Sequence, residues 1–230
     1  MKGARSYLLF IVAISISVLA GCRAPLPAEW DGLVQRPHPR LAGVWVKPDA
    51  EIVAYRNVML DPVQISFARN WDPNSGGRTG LSRLNASDVA AIKDTLADLF
   101  RETFRAELQN GGYALVEEPG PDTLRVIPQI MDLYITAPDM NQPARTRTYT
   151  ANSGRMILVL EARDSITGEI LARAVDGRSG GSAGMLTWTN RVTNIADARR
   201  AITIWARALR EALDDLYERA AAAAATTPSS

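Results

Sequence analysis

Apolar positions along this chain change period several times, and each change marks an element. From Tyr7 to Leu19 the side chains are mostly apolar without alternation. Between Ile52 and Phe67 they occupy both parities: Ile52, Ala54, Val58 and Leu60 on one, Val53, Tyr55 and Met59 on the other. This predicts a strand partly buried on both faces, interrupted at Asp61-Pro62. Val89, Ile92, Leu96, Leu99, Phe100, Phe104 and Leu108 then recur every three or four residues, the period of a helix with one apolar face. Asn85 with Asp88 three residues on is an acidic variant of the capping box, and Asn110-Gly111-Gly112 ends the pattern.

A run from Thr123 to Ile135 reads as a long strand. Pro128 within it lacks the N–H that a central strand donates, which places the run at a sheet edge or at a bulge. A hairpin follows, with Met156, Leu158, Leu160 and Ala162 alternating before a turn at 164–168, and Ile170, Ala172 and Ala174 after it. Its small residues predict a helix crossing closely. That helix carries Ile195, Ala198, Ile202, Trp205, Leu209, Leu213 and Leu216, with Asn194 as its cap. Residues 71–80 and 137–153 are polar or rich in glycine and proline and read as loops. The order strand, helix, several strands, helix predicts a single α+β domain, a mostly antiparallel sheet with two long helices packed on one face.

The N-terminus adds an address. Lys2 and Arg5 precede the apolar run, and Leu19-Ala20-Gly21-Cys22 closes it. The run is shorter than the ~20 residues of a spanning helix, so residues 1–21 read as a signal peptide, with Cys22 as a lipidation site. The small residues resemble the bacterial lipobox, in which a diacylglycerol thioether forms on the cysteine. Arg23 occupies the place of the aspartate that retains such proteins at the inner membrane of enteric bacteria, so the resemblance implies an outer-membrane anchor facing the periplasm. Residues 22–40 carry Pro25, Pro27, Pro37 and Pro39 and read as a proline-rich tether, residues 41–219 as the domain, and 220–230 as a disordered tail.

Charge narrows the partners. There are 26 basic and 25 acidic residues; loss of the signal removes Lys2 and Arg5, leaving 24 against 25, a formal charge of −1. So balanced a chain has no footprint for nucleic acid. Cys22 is the only cysteine and His38 the only histidine, so no disulfide, no metal site and no cofactor is expected. His38 sits between prolines in the tether. Gly177-Arg178-Ser179-Gly180-Gly181 satisfies G-x-S-x-G, but no helical pattern follows it directly and no histidine is at hand to take the hydroxyl proton. Asp132 and Glu161, on neighbouring strands, are a candidate carboxylate pair for a cell-wall hydrolase. Trp71 and Trp188 lie in glycine-rich surroundings and are candidate contacts for a partner or a glycan.

The lipobox, the Trp45–Pro48 entry, Tyr55 with Asp61-Pro62, the 119–124 turn-strand, the 164–169 turn and Trp205 together resemble a group of bacterial lipoproteins catalogued as domain of unknown function 3313. That resemblance implies no catalytic residues. The expectation is a non-catalytic accessory or assembly factor, held to the membrane through lipid on Cys22 and acting on an envelope protein partner. The alternative is a binding module for a small envelope ligand, lipid or glycan; a hydrolase comes third.

Overall fold

The computed structural model describes residues 26–48, 50, 55–74, 83–135, 148–150, 154–180, 187–189 and 191–226. In chain order its elements are β1 (Glu29–Trp30), β2 (Leu33–Arg36), β3 (Gly43–Val46), β4 (Asn57–Leu60), β5 (Gln64–Phe67), α1 (Ala86–Asn110), β6 (Ala114–Leu115), β7 (Thr123–Ile135), β8 (Thr148–Thr150), β9 (Gly154–Asp164), β10 (Ile170–Gly180), β11 (Thr187–Thr189) and α2 (Arg191–Thr226). The main sheet runs β1-β2-β3-β10-β9-β7-β4-β6, with β5 also on β7. Pairings from β1 across to β7 are antiparallel; those of β4 with β6 and of β4 and β5 with β7 are parallel. Parallel neighbours need a crossover, and α1 supplies it between β5 and β7.

Local chemistry explains α1. The Asn85 side chain accepts from the Ser87 and Asp88 amides, while Asp88 accepts from the Asn85 amide at 2.8 Å, closing the capping box. Leu96, Leu99, Phe100, Phe104 and Leu108 turn inward and meet Val126, Ile130, Leu158, Leu160, Ile202 and Trp205 in one core between the sheet and both helices. The α+β architecture expected from the period changes is the one observed.

Three sequence expectations need correction. Strand β7 is central rather than at an edge, paired with β9 on one side and β4 and β5 on the other; it does carry a bulge, but at Asp132 and not at Pro128. The Asp61 amide donates to the Val126 carbonyl, so residue 126, and by alternation residue 128, directs its backbone groups toward β4 and β5. Pro128 therefore aims its missing N–H into the Asp61-Pro62-Val63 break between those strands, where no ladder bond is lost. The second correction concerns the tether: residues 29–36 form a hairpin that joins the sheet, because Asp31-Gly32 makes a tight turn with both residues at positive φ (54° and 76°). The third concerns α2, which starts at Arg191 and continues to Thr226, so Asn194 lies inside its first turn and part of the expected tail is helical.

Candidate functional site

The N-terminal hairpin builds a connected polar constellation on the sheet face away from the helices. Register places Trp45, Arg173, Glu161 and Ile127 in one row across β3, β10, β9 and β7, and strand alternation gives Val46, Ala172, Ala162 and Val126 the opposite, helix-facing side. Arg173, its side chain 7% exposed, donates to Asp31 at 2.8 Å and to Glu161 Oε1 at 3.0 and 2.7 Å. Its guanidinium lies 4.2 Å from the Trp30 ring centre, and Trp30 meets Trp45 edge to face at 5.3 Å. Trp45 Nε1 donates to the Pro27 carbonyl at 2.8 Å. Glu161 Oε2 also accepts two bonds from Arg163. Burial opposes the charge on Glu161, but the two guanidinium groups outweigh it and hold the carboxyl below its ordinary pKa. Arg173 is raised, with burial opposing and Asp31 and Glu161 prevailing. The network is a balanced clamp of two cations and two anions, and it pins the hairpin to the sheet.

Below this row the same face turns apolar. Gln129, Val159 and Val175 form the next row, and Met131 and Ile157 oppose one another in the row after. Met131 is 43% exposed and Ile157, Val159 and Val175 are half-buried; none of these four belongs to the helix-side core. On the other side of the molecule a cleft of about 150 Å³ opens between α1 and the β4–β5 break, floored by Leu60, Val63 and Phe100 and rimmed by Arg101, Arg105 and Glu117. Drug-sized ligands take ~300 Å³ or more.

The residues singled out from sequence are dispersed. Cys22 lies outside the described residues. Trp71 is half-buried rather than exposed: it stacks on Phe67 at 3.9 Å and its Nε1 donates to the Ile135 carbonyl at 3.0 Å, because the chain turns back against β5 and β7 there. Trp188 falls on β11, which pairs with β8 in a two-stranded ribbon where the sequence read as loop; its side chain is outside the described set. The alternating Thr-Tyr-Thr and Thr-Trp-Thr were the signal for that ribbon. Asp132 is not brought to Glu161. It sits in a bulge at φ 51°, paired with Arg155 at 2.9 Å, whereas Glu161 opposes Ile127, roughly 16 Å along the strand. Ser179 lies within strand β10 opposite Arg155, not on a strand-to-helix elbow. His38 Nδ1 accepts from the Arg40 and Leu41 amides at 3.2 Å, and burial, then the Arg40 charge, lowers its pKa. Among the described residues no three His, Cys, Asp or Glu side chains gather as a metal site.

A family model described as "Protein of unknown function (DUF3313)" matches residues 25–209. The chain belongs to this family. No curated protein matches the DUF3313 chain. Similar solved structures include the PelC dodecamer from Paraburkholderia phytofirmans, 9% identical over 75% of this chain and 96% of that one, with TM-score 0.30. A minor lipoprotein from Acinetobacter baumannii is 10% identical over 69% and 90%, with TM-score 0.32. A Xanthomonas campestris protein of the DUF330 family is 11% identical over 70% and 88%, with TM-score 0.37. Likenesses this distant do not say what the DUF3313 chain does.

Proposed function

We propose that this DUF3313 protein is a lipid-anchored envelope protein that works through protein contacts as a non-catalytic accessory or assembly factor, on the periplasmic side of the outer membrane. The observation that carries the reading is the apolar patch on the sheet face away from the helices, on β7, β9 and β10, where exposed Met131 and half-buried Ile157, Val159 and Val175 stand beside the Arg173–Glu161 clamp. Adjacent apolar side chains bordered by paired charges resemble the centre and rim of a protein interface. The Cys22 box supports the anchor, and an anchor raises the effective concentration of the domain near membrane partners.

The test is photo-cross-linking in cells with a photoreactive residue at Met131, compared with one at Ile166, an exposed apolar side chain on the β9–β10 turn. One envelope protein captured from position 131 but not from 166, and lost in a soluble exported Cys22→Ala form, is the expected result. Equal capture from both positions, or from neither, refutes a partner at this face.

A further inference from the structure

We infer that the bilayer carrying the anchor is itself a docking partner of the domain, with the β1–β2 edge of the sheet resting on lipid headgroups. This rests on acylation of Cys22. Were residues 22–40 free, the stretch from Cys22 to Leu41 would reach about 65 Å. The Pro27 carbonyl, however, is held by Trp45 Nε1, so the chain between Cys22 and a point fixed to the sheet reaches at most about 17 Å. A domain of about 185 residues has a radius of gyration of about 16 Å. A compact domain with that radius of gyration has an outer radius of about 21 Å, so the leash is shorter than the domain's own radius and holds the edge from which it leaves within about 17 Å of the membrane.

The chemistry of that edge fits a lipid surface. Of the four exposed large apolar side chains among the described residues, two flank the leash: Val34 at 37%, on β2 and on the same side as Arg36, and Leu26 at 40%, over Gly43 on the opposite face of the sheet. Arg36 stands exposed at the end of β2. An apolar side chain beside a cation, with a second apolar side chain at the point where the leash joins, suits the zone where acyl chains give way to phosphates. The clamp of Trp30 and Asp31 on Arg173 keeps the leash short by holding the hairpin down.

The test uses the full lipidated chain in vesicles of phosphatidylethanolamine and phosphatidylglycerol containing a headgroup nitroxide. An environment-sensitive dye is placed at Arg36→Cys or, as control, at Glu117→Cys, just past β6 and about 29 Å away across the sheet; acylated Cys22 cannot take the dye. Quenching at position 36 and none at 117 is expected. Inserting twenty Gly/Ser residues between Arg23 and Ala24 leaves the folded sequence intact and abolishes the quenching at 36. Equal quenching at both positions, or quenching indifferent to the insertion, overturns the inference while leaving the anchor standing. A dye at position 36 shielded by an envelope protein in cells yet unquenched in vesicles assigns the edge to a protein and also overturns it. A chain without acyl mass that fails to float with the vesicles overturns the anchor and the docking together.

Discussion

Trp205 Nε1, on α2, donates to the Asp176 carboxylate of β10 across 2.8 Å inside the packed interface between helix and sheet. Asp176 is buried, and it also accepts from Arg178 Nε at 2.5 Å and from the Ala42 amide at 3.1 Å. One carboxylate thus joins the last helix, a central strand and the entry to β3. Asp176→Ala leaves three donors facing a void, and a loss of about 3 kcal/mol is expected in urea unfolding. Asp176→Asn, which keeps an acceptor in place, is expected to cost less.

Arg173 and Asp31 form one ion pair, but the two ends differ in burial. The Asp31 side chain is 59% exposed and Arg173 only 7%. Asp31→Ala is expected to cost less than about 1 kcal/mol, as exposed partners do. Arg173→Ala also removes the stack on Trp30 and one partner of half-buried Glu161, and is expected to cost about 2–3 kcal/mol. Denaturant midpoints of the two variants decide it: equal losses refute the asymmetry.

Gly43 lies beneath the ring of Trp45. A Cβ built there would stand 2.4 Å from Trp45 Cη2 and 2.8 Å from Leu26 Cδ1. Gly43→Ala is expected to destabilise by about 1–3 kcal/mol through forced displacement of a buried indole. Near-ultraviolet circular dichroism tests the cause, since the tryptophan bands change if the Trp30–Trp45 packing is disturbed.

The β9–β10 turn sets a pH dependence at both extremes. The Thr167 amide, then the Tyr55 hydroxyl at 2.8 Å, hold Asp164 at a pKa of about 2. A depressed carboxylate contributes stability above its unfolded value near 4, and that contribution is lost as pH falls toward 2. Tyr55 is pushed up to about 12 by burial and by its bond to Asp164. A raised phenol contributes fully below pH 10, and the contribution disappears as pH rises through 12. Tyr55→Phe is therefore expected to shift acid unfolding to higher pH and to flatten the alkaline limb, read from thermal midpoints between pH 2 and 12. An unchanged profile removes the coupling.

Much of the architecture was legible because it repeats within a few residues. The α1 stripe, its Asn85–Asp88 box, the 164–168 turn and the break at Asp61-Pro62 are local patterns, and the structure reproduces them. The N-terminal hairpin carries a legible signal as well, since Asp31-Gly32 is a strong two-residue turn, but it stands among four prolines whose own preference is for an extended tether. Pro128 misled because the rule against proline in central strands assumes an unbroken neighbour, and here the neighbouring strand breaks opposite it.

Periodicity and turn residues by themselves determined which segments become helix or strand and that they assemble as α+β, because such preferences act between neighbours in the chain. Only the tertiary structure decided that residues 27–36 clamp the sheet, that β7 is central, and which charges meet. Asp31 and Arg173 are 142 residues apart, and Tyr55 and Asp164 are 109 apart. Pairings at that range depend on strand order and register, which are set by burying all the apolar faces at once and are written in no single stretch of sequence.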